Sequence, residues 1–127
     1  MTYALIIDDV EEVTVNLSRM LELLGVECKA AFSVREAMLH LLDRPPDIIF
    51  LDIVMPGFDG FEVLAYLRRE PRLENVPVCV VSTESQEETV KKARKLGVAD
   101  YIVKPAGIEE LEAALRSVKL LPRRRIV

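Results

Sequence analysis

The sequence has no tryptophan, two cysteines and a single histidine, His40, in 127 residues. Cys28 and Cys79 form no CxxC motif and have no histidines at metal-ligand spacing, so neither a disulfide framework nor a zinc site is indicated. We interpret both cysteines as small buried apolar side chains. The five glycines form neither a GxGxxG motif nor a Walker loop, which argues against a nucleotide-binding module.

The sequence also lacks a long apolar run and an excess of positive charge. Because no stretch of about 18 apolar residues and no basic-then-apolar leader occurs, we predict no membrane span and expect a cytoplasmic location. The formal charge is −4, or about −7 without the three arginines at 123–125. Such an acidic body repels phosphate backbones, so we expect no direct binding of nucleic acid.

Length and composition predict one compact domain. At 127 residues, half of them hydrophobic and 30% charged, the chain can bury one core but not two. We assign residues 1–121 to this domain and residues 122–127 to a basic C-terminal tail, interpreted as a solvated terminus. The sequence leaves open whether the domain acts alone or is part of a longer protein.

Short apolar runs alternate with segments of helical period, which predicts five strands and five helices. The predicted strands are 3–7, 26–31, 47–51, 76–81 and 100–103. The predicted helices are 10–25, 33–42, 61–70, 85–97 and 107–121, with Ser33 as a candidate N-cap and Gly25 and Gly97 as stops. Because strands one, three and four are almost continuously apolar, we predict an α/β fold, a doubly wound parallel sheet with helices on both faces.

The predicted helices differ in the width of their apolar faces. The residues predicted to face inward in the first and last helices are Val10, Val13, Leu17, Met20, Leu21, Leu24, Ile108, Leu111, Leu115 and Val118. The fourth helix has a narrow stripe, Val90, Ala93 and Leu96, among many charged residues. We therefore expect this helix to be the most loosely docked element.

Polar residues gather where the predicted strands end. Asp8 and Asp9 close the first strand, Asp52 the third, Ser82 the fourth and Lys104 the fifth. In an open parallel sheet these ends form one rim, and ligands bind where the winding reverses. Each residue alone also suits an ordinary role, such as a helix cap, a solvated turn or a Lys-Pro loop. Their occurrence on the same rim favours a functional site.

Three carboxylates at one place would repel each other unless a cation neutralised them. Oxygen ligands without histidine or thiolate partners suit Mg²⁺, with Mn²⁺ as an alternative. Lys104 can pair with Asp52 when the site is empty and with a phosphate when it is loaded, and Ser82 adds a hydroxyl donor. A carboxylate in this setting can attack phosphorus and form an acyl phosphate.

Four stretches, "LIIDDVEE", "DIIFLDIVMPGFDG", "VPVCVVSTES" and "GVADYIVKP", carry a resemblance to a known family. In their order and spacing the chain resembles the receiver domain of two-component response regulators over residues 3 to about 120. The resemblance implies a flavodoxin-like fold with strand order 2-1-3-4-5. It also implies transfer of a phosphoryl group to Asp52 from a sensor histidine kinase or a histidine phosphotransfer protein.

The resemblance assigns roles around the metal. Asp9 matches the direct metal ligand, Asp8 a second or water-mediated ligand, and the backbone carbonyl of Val54 a further contact beside Asp52. Val54 also lies two residues after Asp52 and offers no side chain to orient water, whereas Glu84 could. We therefore expect a fairly long-lived acyl phosphate.

The resemblance also assigns the groups that grip the phosphoryl oxygens. Ser82 and Lys104 match the family's hydroxyl and lysine, assisted by backbone N–H groups near Val54 and Thr83. Thr83 is a second choice for the hydroxyl. The bond from Lys104 to Pro105 is expected to be cis, and the small residue that follows, at 106, predicts altered packing under the last loop.

The signal is expected to leave through helix four, strand five and helix five, by homodimerisation or by binding an effector protein. Tyr101 resembles the family's aromatic switch, although it can also be a half-buried tyrosine with its hydroxyl in water. Val15 on the first helix is a candidate for kinase docking.

Two other functions remain as alternatives to a phosphorylated signalling domain. A haloacid dehalogenase-type phosphatase would need a D-x-D motif after the first strand, and here the acidic pair is adjacent. A receiver-like scaffold would need no phosphorylation, yet every residue of the predicted site is present. We therefore expect no enzyme beyond self-catalysed phosphotransfer and autodephosphorylation.

Overall fold

The computed structural model describes residues 1–121 and contains five long strands, five helices and a small hairpin. The strands are β1 (Tyr3–Ile7), β2 (Glu27–Ala31), β3 (Ile48–Leu51), β4 (Val78–Ser82) and β5 (Asp100–Val103). The helices are α1 (Glu11–Leu23), α2 (Val34–Asp43), α3 (Gly60–Arg69), α4 (Glu87–Lys95) and α5 (Ile108–Ser117). The predicted basic tail, 122–127, lies outside the described residues.

The five strands form one parallel sheet in the order β2-β1-β3-β4-β5. The predicted order and the doubly wound arrangement are therefore confirmed. One buried cluster packs α2, α3 and α4 on one face of the sheet, and a second packs α1 and α5 on the other. No helix within residues 1–121 is long and apolar enough to cross a membrane.

The helix ends follow the capping signals in the sequence. The Ser33 hydroxyl accepts a hydrogen bond from the Glu36 backbone N–H at 3.1 Å, which confirms it as the N-cap of α2. Gly25 and Gly97, with φ of 82° and 79°, follow α1 and α4 and reverse the chain. These short reversals return the chain to the sheet and place each following strand.

Two residues predicted to face inward are exposed. Val10 is 45% exposed because it precedes the first turn of α1, and the buried residue of that turn is Thr14, whose hydroxyl donates to the Glu11 carbonyl. Ile108, the first residue of α5, is 37% exposed. Both lie at the start of a helix, Val10 at the N-cap of α1 and Ile108 in the first position of α5.

The two cysteines also differ from each other. Cys79 is buried in β4 as predicted, whereas Cys28 on the outer strand β2 is only half-buried.

A hairpin that sequence periodicity did not predict follows β3. Val54–Met55 pairs antiparallel with Phe58–Asp59. Pro56 and Gly57, the latter with φ of 76°, make the turn, and this sequence is the signature of a type II turn. The hairpin carries the chain from Asp52 directly into α3.

Candidate functional site

Three carboxylates meet at the carboxyl edge of the sheet. The parallel register sets Ile7 opposite Leu51, so the residues that follow β1 and β3 are neighbours. Oxygen atoms of Asp8, Asp9 and Asp52 lie within 4.8 Å of one another. Asp8 and Asp52 are buried, with 1% and 5% of their surface exposed, while Asp9 is exposed. The predicted convergence of the acidic residues is present in the structure.

Lys104 brings a positive charge into this cluster. Its Nζ lies 3.0 Å from Asp52 Oδ2, the pairing expected from the sequence, and 2.8 Å from Asp8 Oδ2, a partner that was not predicted. The bond from Lys104 to Pro105 is cis, as expected from the resemblance. The carboxylates that follow β1 and β3 thus share one ammonium group.

Backbone N–H groups hold the other oxygen of each buried carboxylate. Asp8 Oδ1 accepts from the Val10 N–H and Asp52 Oδ1 from the Val54 N–H, both at 2.9 Å. Burial raises the pKa of Asp8, and Lys104 and the Val10 N–H only partly offset that shift. Burial alone would lower the pKa of Lys104, but its contacts with the carboxylates of Asp8 and Asp52 raise it overall. The ammonium is therefore stabilised in its charged form.

The cluster fits a hard divalent cation. Three carboxylates face one ammonium, which leaves an excess of negative charge in a largely buried place. Asp8 Oδ2 is buried and, among residues 1–121, has an ion-pair contact but no hydrogen bond of good geometry. Carboxylate oxygens without nitrogen or sulfur ligands favour Mg²⁺ or Mn²⁺. Asp8, Asp9 and Asp52 are the residues that could hold the ion.

Ser82 and Tyr101 are joined through Glu84. Ser82 is fully buried at the end of β4, and its Oγ accepts a hydrogen bond from the Glu84 N–H at 3.1 Å. The Tyr101 hydroxyl donates to the Glu84 carbonyl, and Tyr101 is only 8% exposed. Burial raises the pKa of Tyr101, and a hydrogen bond with the Ser82 side chain opposes the shift. The tyrosine is therefore inside the protein, and its hydroxyl is not directed into water.

The side chains at the mouth of the site differ in their contacts. The Glu84 carboxylate accepts from the Gln86 N–H at 3.0 Å, so it is engaged at the start of α4. Val54, 53% exposed, lies at the mouth without a polar group. Thr83 is exposed and, with Lys104, borders an apolar cleft beneath the last loop.

That cleft lies between α1 and the segment that follows β5, and it adjoins the acidic cluster through Lys104. Its apolar walls include Val13 and Leu17 of α1, and Pro105 and Ala106 of the loop. The small Ala106 side chain borders open space here. Val15, on another side of α1, is 40% exposed.

Comparison with known proteins identifies the family. A model of the response regulator receiver domain matches residues 4–116. The chain belongs to this family. It is a receiver domain of two-component response regulators, a signalling domain. Phosphorylation and magnesium binding are typical of such domains.

Individual relatives agree with this assignment. The transcriptional regulatory protein PrrA of Mycobacterium tuberculosis is 40% identical over 121 residues, which cover 95% of this chain and 50% of PrrA. Protein PilH of Pseudomonas aeruginosa is 30% identical over 118 residues, 93% of this chain and 98% of PilH. The solved structure of the Vibrio cholerae chemotaxis protein CheY4 has a TM-score of 0.85 at 28% identity and covers 93% of this receiver domain and 98% of CheY4. The receiver domain spans about half the length of PrrA, as it does of several curated relatives.

Proposed function

We propose that Asp52 accepts a phosphoryl group from the phosphohistidine of a sensor histidine kinase or a histidine phosphotransfer protein. The observation that carries the proposal is the setting of the Asp52 carboxylate. It is buried beside two other carboxylates, and one of its oxygens lies 3.0 Å from Lys104 Nζ. A carboxylate nucleophile next to a lysine is the arrangement that forms acyl phosphates.

In the proposed step, an oxygen of Asp52 bonds to phosphorus as the phosphorus–nitrogen bond of the donor breaks. The electron pair of that bond stays on the imidazole nitrogen, which then takes a proton from water. The Lys104 ammonium pairs with the Asp52 carboxylate before the transfer and with a phosphoryl oxygen after it. Ser82 Oγ accepts a hydrogen bond from the Glu84 N–H and keeps its own proton, which it would donate to a second phosphoryl oxygen. Backbone N–H groups near Val54 and Thr83 assist.

We further propose Asp8, Asp9 and Asp52, with the Val54 carbonyl, as the ligands of a Mg²⁺ ion, Mn²⁺ being the alternative. When bound, the ion supplies positive charge that screens the carboxylates from the incoming phosphoryl oxygens. Asp8 Oδ2, which has no hydrogen bond of good geometry within the described part of the chain, supports this proposal.

The proposed output surface consists of α4, β5 and α5. Movement of Ser82 toward the phosphoryl group would pull on the Glu84 N–H, and the Glu84 carbonyl holds Tyr101. The loop before α4 would therefore move as one unit. Only Ala93 of α4 is buried, so a small bias can shift the helix. The partner would be a second copy or an effector protein, and Val15 would contribute to docking of the phosphodonor.

The proposed receiver unit comprises residues 1–121, followed by the basic tail 122–127. Its location is proposed to be cytoplasmic, and its catalysis is limited to its own phosphorylation and autodephosphorylation. No direct contact with nucleic acid is proposed for this domain.

Intact mass after incubation with acetyl phosphate and Mg²⁺ tests the proposal. Wild type should gain the mass of one phosphoryl group, and Asp52→Asn should gain none. Asp47→Asn is the matched control at the opposite edge, where the Asp47 carboxylate accepts from the Tyr3 N–H, and it should behave as wild type. A wild-type protein that stays unmodified would favour the scaffold alternative. Elution volume on the same samples would show whether phosphorylation causes dimerisation.

A further inference from the structure

Gly60, the first residue of α3, lies against the backbone of the residue that follows Asp52. A Cβ atom at Gly60 would be 2.3 Å from Ile53 Cα and 2.8 Å from both Ile53 Cβ and the Ile53 carbonyl oxygen. Carbon atoms in contact are normally about 3.5–4.0 Å apart, so a side chain would have to displace Ile53 by about 1 Å or more. Gly60 is not among the glycines with positive φ. Glycine is therefore needed here because a side chain has no space, and not because of the backbone conformation.

Ile53 has little freedom to move away. Its side chain is 6% exposed and belongs to the buried cluster under α2, α3 and α4. Its carbonyl accepts a hydrogen bond from the Gly60 N–H at 3.3 Å. The start of α3 is itself fixed, because Asp59 Oδ1 accepts from the Phe61 N–H at 2.9 Å. A side chain at position 60 would therefore push the Ile53 backbone, since neither side of the contact can yield easily.

A displacement of Ile53 would reach the site because both of its neighbours in the chain contribute groups to the site. Asp52 precedes Ile53, and Val54 follows it and donates its N–H to Asp52 Oδ1 at 2.9 Å. Asp52 Oδ2 faces Lys104 at 3.0 Å. A shift of about 1 Å at Ile53 would disturb both contacts, and misplacement of that size can cost about a hundredfold in rate. We infer that Gly60 is a positioning residue, whose missing side chain sets the place of the Asp52 carboxylate and the Val54 backbone.

This inference rests on the proposed function of Asp52, and the chain offers a matched control for testing it. Gly107 also lies at the start of a helix without a positive φ, yet a Cβ there would be 3.7 Å from Glu110 Oε1, an ordinary contact. Gly107 is the N-cap of α5, where alanine is less favourable than glycine but displaces no neighbouring backbone. Gly60→Ala and Gly107→Ala therefore make the same chemical change, and only the first meets a backbone.

The experiment measures both variants of the full chain beside wild type. Phosphorylation by acetyl phosphate in Mg²⁺ is followed by intact mass, and we expect Gly60→Ala to react about a hundredfold more slowly, with Gly107→Ala within about twofold of wild type. A Mg²⁺ titration without phosphodonor, followed by backbone amide shifts, gives a second readout. Weaker Mg²⁺ binding and displaced amides at 52–54 are expected in Gly60→Ala alone.

The outcomes separate the inference from the proposed function. If wild type is not phosphorylated, the proposed function fails, and the amide shifts and Mg²⁺ titration still decide the role of Gly60. If Gly60→Ala matches wild type in rate and Mg²⁺ affinity, the inference is wrong. Should Gly60→Ala be unfolded, the measurements are repeated in an osmolyte that restores its circular dichroism spectrum. A refolded variant with normal Mg²⁺ affinity would overturn the inference as well.

Discussion

The two edges of the sheet differ in how their charged side chains are paired and buried. At the amino edge, Arg44 pairs with Glu27 at 3.6 Å and Lys29 with Asp43 at 4.0 Å, and all four side chains are substantially exposed. At the carboxyl edge three carboxylates converge, and the two that are buried, Asp8 and Asp52, share the ammonium of Lys104. Matched pairs in solvent contribute little stability, whereas a buried cluster with excess charge lowers stability until a ligand completes it. The imbalance supports the proposal that the carboxyl edge is the ligand site.

Removing the cation of the carboxyl edge should have the largest effect on stability. Lys104→Met leaves two buried carboxylates without a positive charge beside them, so we expect the free energy of unfolding to fall by about 2–4 kcal/mol in metal-free buffer. Arg44→Met, the matched change at the amino edge, should cost about 0–1 kcal/mol. Urea unfolding of both variants measures the difference.

Added Mg²⁺ sharpens this comparison. Because the ion supplies the missing positive charge, it should recover most of the stability lost in Lys104→Met and leave Arg44→Met unchanged. Equal losses in the two variants, with or without Mg²⁺, would mean that the two edges do not differ.

The pH dependence of stability should also differ when Asp8 is changed. Burial raises the pKa of Asp8 in the folded state, so the folded protein keeps a proton that the unfolded chain has released. This carboxyl therefore lowers stability as the pH rises from its ordinary pKa toward its folded pKa. With metal chelated, wild type should lose more stability than Asp8→Asn between about pH 4 and pH 7. Thermal unfolding over this range tests the effect, and parallel curves for the two proteins would contradict it.

The fold and much of the site could be predicted from the sequence, because both depend on where strands end. Continuous apolar runs identify strands covered on both faces, and parallel pairing brings Asp8, Asp52 and Lys104 to one edge. The convergence of the three carboxylates followed from this topology without any knowledge of side-chain geometry.

Features that depend on the exact ends of elements and on side-chain contacts could not be predicted from the sequence. Val10 follows the helical period yet is exposed, because the period does not show that α1 begins only at Glu11. The hairpin after Asp52 is too short for an alternation of polar and apolar residues, although Pro56 and Gly57 signalled the turn. The contact of Lys104 with Asp8 and the hydrogen bond of Tyr101 to Glu84 depend on rotamers, which sequence patterns do not contain.

Within the carboxyl edge, the exposed mouth should control the lifetime of the acyl phosphate. Val54 is 53% exposed and apolar, and the Glu84 carboxylate is engaged by the Gln86 N–H. Val54 therefore offers no group that could orient water, and Glu84 keeps only its second carboxylate oxygen for that role. Val54→Asn adds an amide that can do so, and we expect hydrolysis about tenfold faster. Loss of the phosphorylated mass after removal of acetyl phosphate gives the rate, and an unchanged rate would refute this account.

The smallest effect concerns the loop between the acidic cluster and α4. Tyr101→Phe removes the hydrogen bond to the Glu84 carbonyl, so the free energy of unfolding should fall by about 1 kcal/mol. Phosphorylation should change much less than stability, because this hydroxyl lies beside Ser82 and the loop but contacts none of the three carboxylates. Tyr66→Phe is the control, since the Tyr66 hydroxyl has no assigned hydrogen bond within residues 1–121. Urea unfolding that gives equal values for the two variants would mean that Tyr101 does not anchor the loop, and the proposed route from Ser82 to α4 would then need another contact.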